Sequence, residues 1–278
     1  MNRRESGEAC RVDIRIHILD ENDHAPKFTE SGSYVVTVKE DAPVGALIGK
    51  VHADDEDLGV NRKVRYTLLT VVGSSGESMI DDQFGMDGTS GVISLLRPLD
   101  RELVSQYNLS IQATDDGIPP MSSLAHMRII LMDVNDNPPV FAFNYYSASI
   151  SELAPVSSEV TRVLATSKDI GINADITYDI VGGNGYNHFG IHPKTGVIFV
   201  SAPLDYERVK EYVLAIRARD GGTPPLASQA LVNITLIDMN DNSPVFNVDS
   251  YSVEIPEDAP IGASVMQDAY HHQPCILL

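Results

Sequence analysis

The residues with the plainest chemical potential are Asp133-Val134-Asn135-Asp136-Asn137-Pro138, a run of carboxylate and amide oxygens stopped by a proline that cannot continue into helix. Such oxygens are hard ligands, suited to a hard cation. The run recurs in weaker form as Asp20-Glu21-Asn22-Asp23-His24 and Asp238-Met239-Asn240-Asp241-Asn242, with neighbouring copies separated by roughly the length of one small domain. An EF-hand loop is excluded. It would need Gly at its sixth place and a bidentate Glu at its last, and those places hold Pro138 and Asn144. A metal at this run must take further ligands from elsewhere in the chain.

Candidates for those ligands stand at matching offsets from each run. Tyr34, Val36 and Val38 lead to Glu40, Tyr146, Ala148 and Ile150 to Glu152, and Tyr251, Val253 and Ile255 to Glu257. Each Glu shares the inward parity of its strand but sits at the tip. A carboxylate there must be paired, solvated or on a metal. Pro43, Pro155 and Pro260 close these strands. Asp100-Arg101-Glu102 is matched by Asp205-Tyr206-Glu207, and Ala113-Thr114-Asp115 by Ala218-Arg219-Asp220. Any one of these alone reads as a solvated turn; found together, in order and twice, they read as a metal-binding set. Paired carboxylates also suit glycosidase acid/base work, but an active site occurs once whereas these repeat at every joint, so the chain does not read as an enzyme.

The elements that must position these groups are strands. Val12, Ile14, Ile16 and Ile18 precede the first joint, Ala125, Met127, Ile129 and Leu131 the second, and Ala230, Val232, Ile234 and Leu236 the third. Their alternation is that of a half-buried strand, and the constant offset is an internal repeat. Further matches, such as Phe84 and Gly91-Val92-Ile93 with Phe189 and Gly196-Val197-Ile198, keep two copies in register. The expected fold is all-β: tandem seven-stranded Greek-key sandwiches joined by metal-binding linkers. An immunoglobulin core is excluded, since there is no Trp and no Cys within either repeat. The expected boundaries are 1–25 for the last strand and linker of one repeat, 26–137 and 138–242 for two complete repeats, and 243–278 for the truncated start of a third with an unrelated tail.

Composition narrows the partners. Asp and Glu number 39 against 20 Lys and Arg, a net charge of −19, for which nucleic acid and anionic membrane surfaces are poor partners. With 43% hydrophobic residues in regular alternation the chain can build cores and is not disordered. Cys10 and Cys275 lie two repeat lengths apart, so no bridge between them is expected. Met1-Asn2-Arg3-Arg4-Glu5-Ser6-Gly7-Glu8 lacks an apolar signal core, and no apolar run reaches membrane length.

Together these motifs resemble the extracellular repeats of cadherins, in particular protocadherin-like and Fat-like members, over residues 12 to about 265. The resemblance implies calcium (Ca2+) at each joint, in clusters of three ions fed by both neighbouring repeats. At the central joint it implies Glu40, Asp100, Glu102 and Asp136 on the first ion. The second would share Glu40, Glu102 and Asp136 and add the Val134 carbonyl and Asp169. The third would take Asn135, Asp169, Asp220 and the carbonyls of Asn137 and Asn173, while Asp133 opens the motif. By the same correspondence Asp20, Asn22, Asp23, Asp55, Asp57, Asn61 and Asp115 serve the first joint, and Glu152, Asp205, Glu207, Asp238, Asn240 and Asp241 the last. Ser167 stands where the family pattern has Asp, beside Lys168, which puts the third ion of the central joint in question. His24 replaces the closing Asn of the family pattern, a change that matters less if only the backbone carbonyl at that place is used.

The function implied is that of a calcium-dependent cell-cell adhesion ectodomain segment, with a receptor ectodomain that binds or presents a ligand without adhesion as the alternative. Its partners would be other cadherin ectodomains, homophilic or heterophilic. Neither nucleic acid nor a small-molecule substrate is implied. The location would be the extracellular face of the plasma membrane, attached through a membrane span of the parent protein. Docking of a Trp, as in the outermost classical repeat, is excluded by the absence of Trp. Asn108-Leu109-Ser110 and Asn233-Ile234-Thr235 are glycan acceptor triplets, expected at the surface. Cys275-Ile276-Leu277-Leu278 has the form of a prenylation box but lacks a preceding basic run.

Overall fold

The computed structural model of the chain describes residues 12–74, 78–79, 83–243, 250, 252–262 and 264. Packing divides it into two units. The first comprises Met1–Val140, Thr166–Ile176 and Arg219–Ala227, the second Phe141–Ala165, Thr177–Ala218 and Ser228–Leu278.

Up to the central joint the strands are β1 (Lys27–Phe28), β2 (Ser33–Lys39), β3 (Leu47–Lys50), β4 (Ala53–Asp54), β5 (Val64–Gly73), β6 (Ser78–Met79), β7 (Phe84–Met86), β8 (Val92–Leu95), β9 (Gln106–Asp115) and β10 (Ser122–Met132). One sheet runs β2-β10-β9-β5-β6 and another β3-β8-β7, with β1 paired to β4. β2 lies parallel to β10, with Tyr34 opposite Met127, whereas β9 pairs antiparallel with both β10 and β5. Ile93 and Leu95 from one sheet join Leu109, Ile111, Met127 and Ile129 from the other in a single buried cluster. Ala125, Met127, Ile129 and Leu131 all point inward, as their period predicts. Each fully buried aliphatic chain adds about 1.5–3 kcal/mol, so a one-residue slip of β10 would forfeit its whole inner face.

Beyond the joint the pattern returns in β11 (Val140–Phe141), β12 (Tyr145–Ser151), β13 (Glu159–Arg162), β14 (Ala165–Thr166), β15 (Thr177–Gly182), β16 (Phe189–Ile191), β17 (Val197–Val200), β18 (Glu211–Arg219) and β19 (Ala227–Ile237). The sheets run β12-β19-β18-β15 and β13-β17-β16, with β12 parallel to β19. Val163, Ile198, Leu214, Ile216 and Ile234 are fully buried. The architecture is the all-β sandwich anticipated above.

The alternating run at Val12–Ile18 departs from expectation: it forms no strand, and Ile18 is 94% exposed. Alternation specifies a strand only where a ladder and an apolar face exist to receive it, and no described strand pairs with this run. Val253 and Ile255 likewise lie exposed outside any strand. Tyr251, the two cysteines, the first eight residues and the C-terminal Cys-Ile-Leu-Leu lie outside the described residues. Among the described residues no helix is long and apolar enough to cross a membrane.

Candidate metal centre

The parallel pairing of β2 with β10 builds the central joint, because both strands end side by side. Glu40 follows β2 and Asp133 follows β10, and the Glu40 N–H donates to the Met132 carbonyl (3.2 Å). The Glu40 side chain is 5% exposed. Its Oε2 accepts from the Arg101 N–H (2.7 Å) and its Oε1 from the Val134 N–H (2.9 Å). Two charge-assisted bonds thus tie the Asp100–Leu103 turn to the linker. Asp100 Oδ1 caps the same turn through the Leu103 N–H (2.9 Å). Carboxylate oxygens of Glu40, Glu102 and Asp133 come within 4.8 Å of one another, and so do those of Glu102, Asp136 and Asp169.

The remaining predicted residues of this joint belong to the same compact unit. Asp133 Oδ2 accepts from the Ile170 N–H (3.2 Å) and Asn173 Nδ2 (2.9 Å), while Oδ1 faces Arg101 Nε at 2.5 Å. Asp133 thus braces the glycine loop that carries Asp169. Asp20 does the same at the first joint, accepting from the Leu58 N–H (2.9 Å) and Asn61 Nδ2 (3.1 Å) at its Oδ2. Asn135 donates through Nδ2 to the Pro224 carbonyl (2.7 Å) and Asp220 Oδ1 (3.2 Å). Its Oδ1 is buried with no hydrogen-bond partner. Asn22 repeats this with Pro119 (2.7 Å) and Asp115 (3.2 Å), and its Oδ1 is orphaned too.

Both asparagines sit where only glycine lets them approach: a Cβ on Gly222 would lie 2.2 Å from the Asn135 side chain, and one on Gly117 2.3 Å from Asn22. A buried oxygen without a donor costs about 1–3 kcal/mol. Two such oxygens in equivalent acidic surroundings fit the ligand set of a hard cation. Asp55 Oδ2, in a side chain 3% exposed, is orphaned in the same way.

Electrostatics point the same way. Burial, then the Glu40 charge, pushes the Glu102 carboxyl above its ordinary value, and Arg101 opposes without cancelling. Burial and the charges of Glu40, Asp169, Asp100 and Asp133 raise Asp136. A carboxyl raised in the folded state stabilises that state below its unfolded value, and the contribution is lost as pH rises through the folded value. A proton or a divalent cation can therefore relieve the same repulsion. Thermal unfolding in chelator and in calcium is expected to converge as pH falls from neutrality into the raised carboxyl range, because protons then do what the ion does. A gap independent of pH would contradict this.

At the last joint Glu152 repeats Glu40, accepting from the Tyr206 N–H (2.6 Å) and Met239 N–H (2.7 Å). Glu152, Glu207 and Asp241 converge, Asp205 caps its turn through the Arg208 N–H (2.9 Å), and Asp238 and Asn240 are exposed. At the first joint Asp23, His24 and Asp57 converge. Two features escaped sequence reasoning. Arg101, 9% exposed at its side chain and paired with Glu102 and Asp133, is a built-in counter-charge; Tyr206 in its place in the second copy gave no hint of this. Ser167 donates to the Asn137 carbonyl (3.0 Å), one of the oxygens expected on the third ion. Of the glycan acceptors, Asn108 is exposed on β9, whereas Asn233 is half-buried on β19 with its amide donating to Glu211 (2.5 Å).

A family model of the cadherin domain matches residues 34–132 and 146–237. The human protein Protocadherin Fat 1 is 42% identical over 261 residues, which is 94% of this chain and 6% of that protein. The Fat-like cadherin-related tumor suppressor homolog of Drosophila melanogaster is 43% identical over 259 residues, 93% of this chain and 5% of that protein. Among solved structures, mouse Cadherin-23 EC22-24 superposes with a TM-score of 0.70 at 31% identity, covering 80% of this chain and 67% of that one. The chain spans only a small part of the two curated relatives.

Proposed function

The chain belongs to the cadherin family, as repeats of the protocadherin and Fat type, and from that premise we propose that it is an ectodomain segment of a calcium-dependent cell-adhesion protein, stiffened by calcium at its repeat junctions. Residues 26–137 and 138–242 would be the complete repeats, flanked by parts of two others. Its partners would be other cadherin ectodomains, and the parent would display it on the outer face of the plasma membrane. The observation that carries this reading is the convergence of Glu102, Asp136 and Asp169, with Glu40 beside Glu102 and the orphaned Asn135 oxygen close by in the same linker.

Glu40, Asp100, Glu102 and Asp136 would hold a first ion, and Asp169 with the Val134 carbonyl would complete a second. Calcium supplies charge neutralisation and a demand for six to eight oxygens, which no single repeat meets. Asp133 and Asp20 act here as braces, since their Oδ2 atoms are engaged by the glycine loops. The chain's residues do no chemistry on a substrate in this reading. They gather charge at a joint that cations would stiffen by offsetting it.

Small-angle scattering tests this. Adding chelator is expected to broaden the distance distribution and shorten its maximum, and readdition of calcium to reverse both. Identical profiles would sink the proposal. With the full ectodomain, calcium-dependent bead aggregation supports adhesion, and capture of a soluble ligand without aggregation supports the receptor reading.

A further inference from the structure

We propose that the first joint holds a nitrogen-and-oxygen site for a divalent cation of the zinc class, formed by His24 with Asp23 and Asp57. At the two other joints the equivalent residue is asparagine, and its amide nitrogen only donates. Asn137 Nδ2 donates to Asp136 Oδ1 (2.5 Å) and Asp169 Oδ1 (2.9 Å), and Asn242 Nδ2 to Asp241 Oδ1 (2.8 Å) and Glu207 Oε1 (2.7 Å). His24 occupies the geometry of Asn137. Its backbone N–H donates to Asp57 Oδ2 (3.2 Å), and its Nδ1 lies 2.8 Å from Asp57 Oδ1 and 2.7 Å from Asp23 Oδ1. An amide nitrogen has no lone pair to give a metal; an imidazole nitrogen does.

The ligand atoms of Asp23, His24 and Asp57 all lie within 4.8 Å of one another. Tetrahedral bonds of about 2.0–2.1 Å place ligand atoms about 3.3 Å apart, so each carboxylate oxygen need draw back from Nδ1 by only about half an ångström to admit an ion, water taking the fourth place. Asp57 is 3% exposed, and with Oδ2 engaged by the backbone it presents Oδ1 to the ring. A second, independent feature lies across the imidazole. His24 Nε2 faces Glu56 Oε2 at 3.7 Å, an ion-pair separation just beyond hydrogen-bond reach that a small turn of the ring would close, and Lys27 Nζ holds the other Glu56 oxygen at 2.7 Å. Metal-bound histidines characteristically offer their second N–H to such a carboxylate. Imidazole with carboxylates selects zinc-class ions over calcium, which takes oxygen alone.

Asp23 and Asp57 are also expected on calcium, so the inference rests on the proposed function only in naming calcium as the competitor. The full chain, stripped with chelator, is titrated calorimetrically with zinc chloride, and with cobalt chloride as an optical probe of nitrogen ligation. The wild type is expected to bind zinc and to develop cobalt ligand-field bands. His24→Asn, which installs the residue of the other joints, should weaken that event at least tenfold, with calcium heats from the Asp133 joint as the control for folding. Glu56→Gln should weaken it about 10–100-fold. No zinc binding by the wild type overturns the proposal. So does zinc binding that survives His24→Asn, which would place the ion on other histidines. Failure of the calcium reading would appear separately, as absent calcium heats in all three proteins.

Discussion

Glu40→Ala is expected to remove two of the calcium-binding events at the Asp133 joint and to destabilise the chain even in chelator. The first loss follows because Glu40 stands in both proposed inner ligand sets. The second follows from its hydrogen bonds, since the N–H groups of Arg101 and Val134 would lose their acceptor. A fully buried donor left unpaired costs about 1–3 kcal/mol, and these part-buried groups should lose less than that each. A matched variant separates the two effects. Glu152→Ala removes the same pair of bonds at Tyr206 and Met239 in the second unit. It should lower stability in chelator by a similar amount while leaving calcium binding at the Asp133 joint intact. Calorimetry on both variants, with thermal unfolding in chelator, checks this. If Glu40→Ala kept the full calcium stoichiometry, Glu40 would be a structural acceptor only, and the ligand sets would have to be redrawn without it.

How far the sequence foretold this site depends on the kind of contact. Parity along a strand survives from sequence to structure, because a strand with one buried face has a single workable register. Hence Glu40 and Glu152 are where their tyrosines place them, and Ala125, Met127, Ile129 and Leu131 face inward. The same rule misleads at Val12–Ile18, where the pattern is present but no partner strand receives it. Roles within the joint were harder to read, because carboxylates in the same motif do different work. Asp133 and Asp136 stand three residues apart. One braces a loop through Ile170 and Asn173, and the other lies among the charges of Glu40, Asp169, Asp100 and Asp133. Only tertiary contacts separate a brace from a ligand. Arg101 escaped for a related reason, since a cation inside an acidic motif reads as a solvated spacer until its burial is known.

Ser167→Asp is expected to add one calcium-binding event at the Asp133 joint. Ser167 Oγ accepts from the Asp169 N–H (3.2 Å) and donates to the Asn137 carbonyl (3.0 Å). It therefore contributes no charge and occupies an oxygen that the third ion would use. In the first repeat Asp55 takes this place. Its Oδ1 accepts the Asp57 N–H (2.9 Å), and its Oδ2 is buried without a partner. The substitution should reproduce that arrangement, freeing the Asn137 carbonyl and adding a charged oxygen beside Asp169. In chelator the variant should be less stable than wild type, because another carboxylate joins an already repulsive set. With calcium at about a hundred times the dissociation constant, the new site should return about 2.7 kcal/mol. That constant should lie on the order of 10⁻⁴–10⁻³ M, the range of extracellular calcium modules. The stability difference between variant and wild type should thus change sign between chelator and saturating calcium. A wild type that already binds three ions of similar affinity at this joint would mean that another oxygen replaces the missing carboxylate, and the Ser167 hydrogen bond to Asn137 would then have to break on loading.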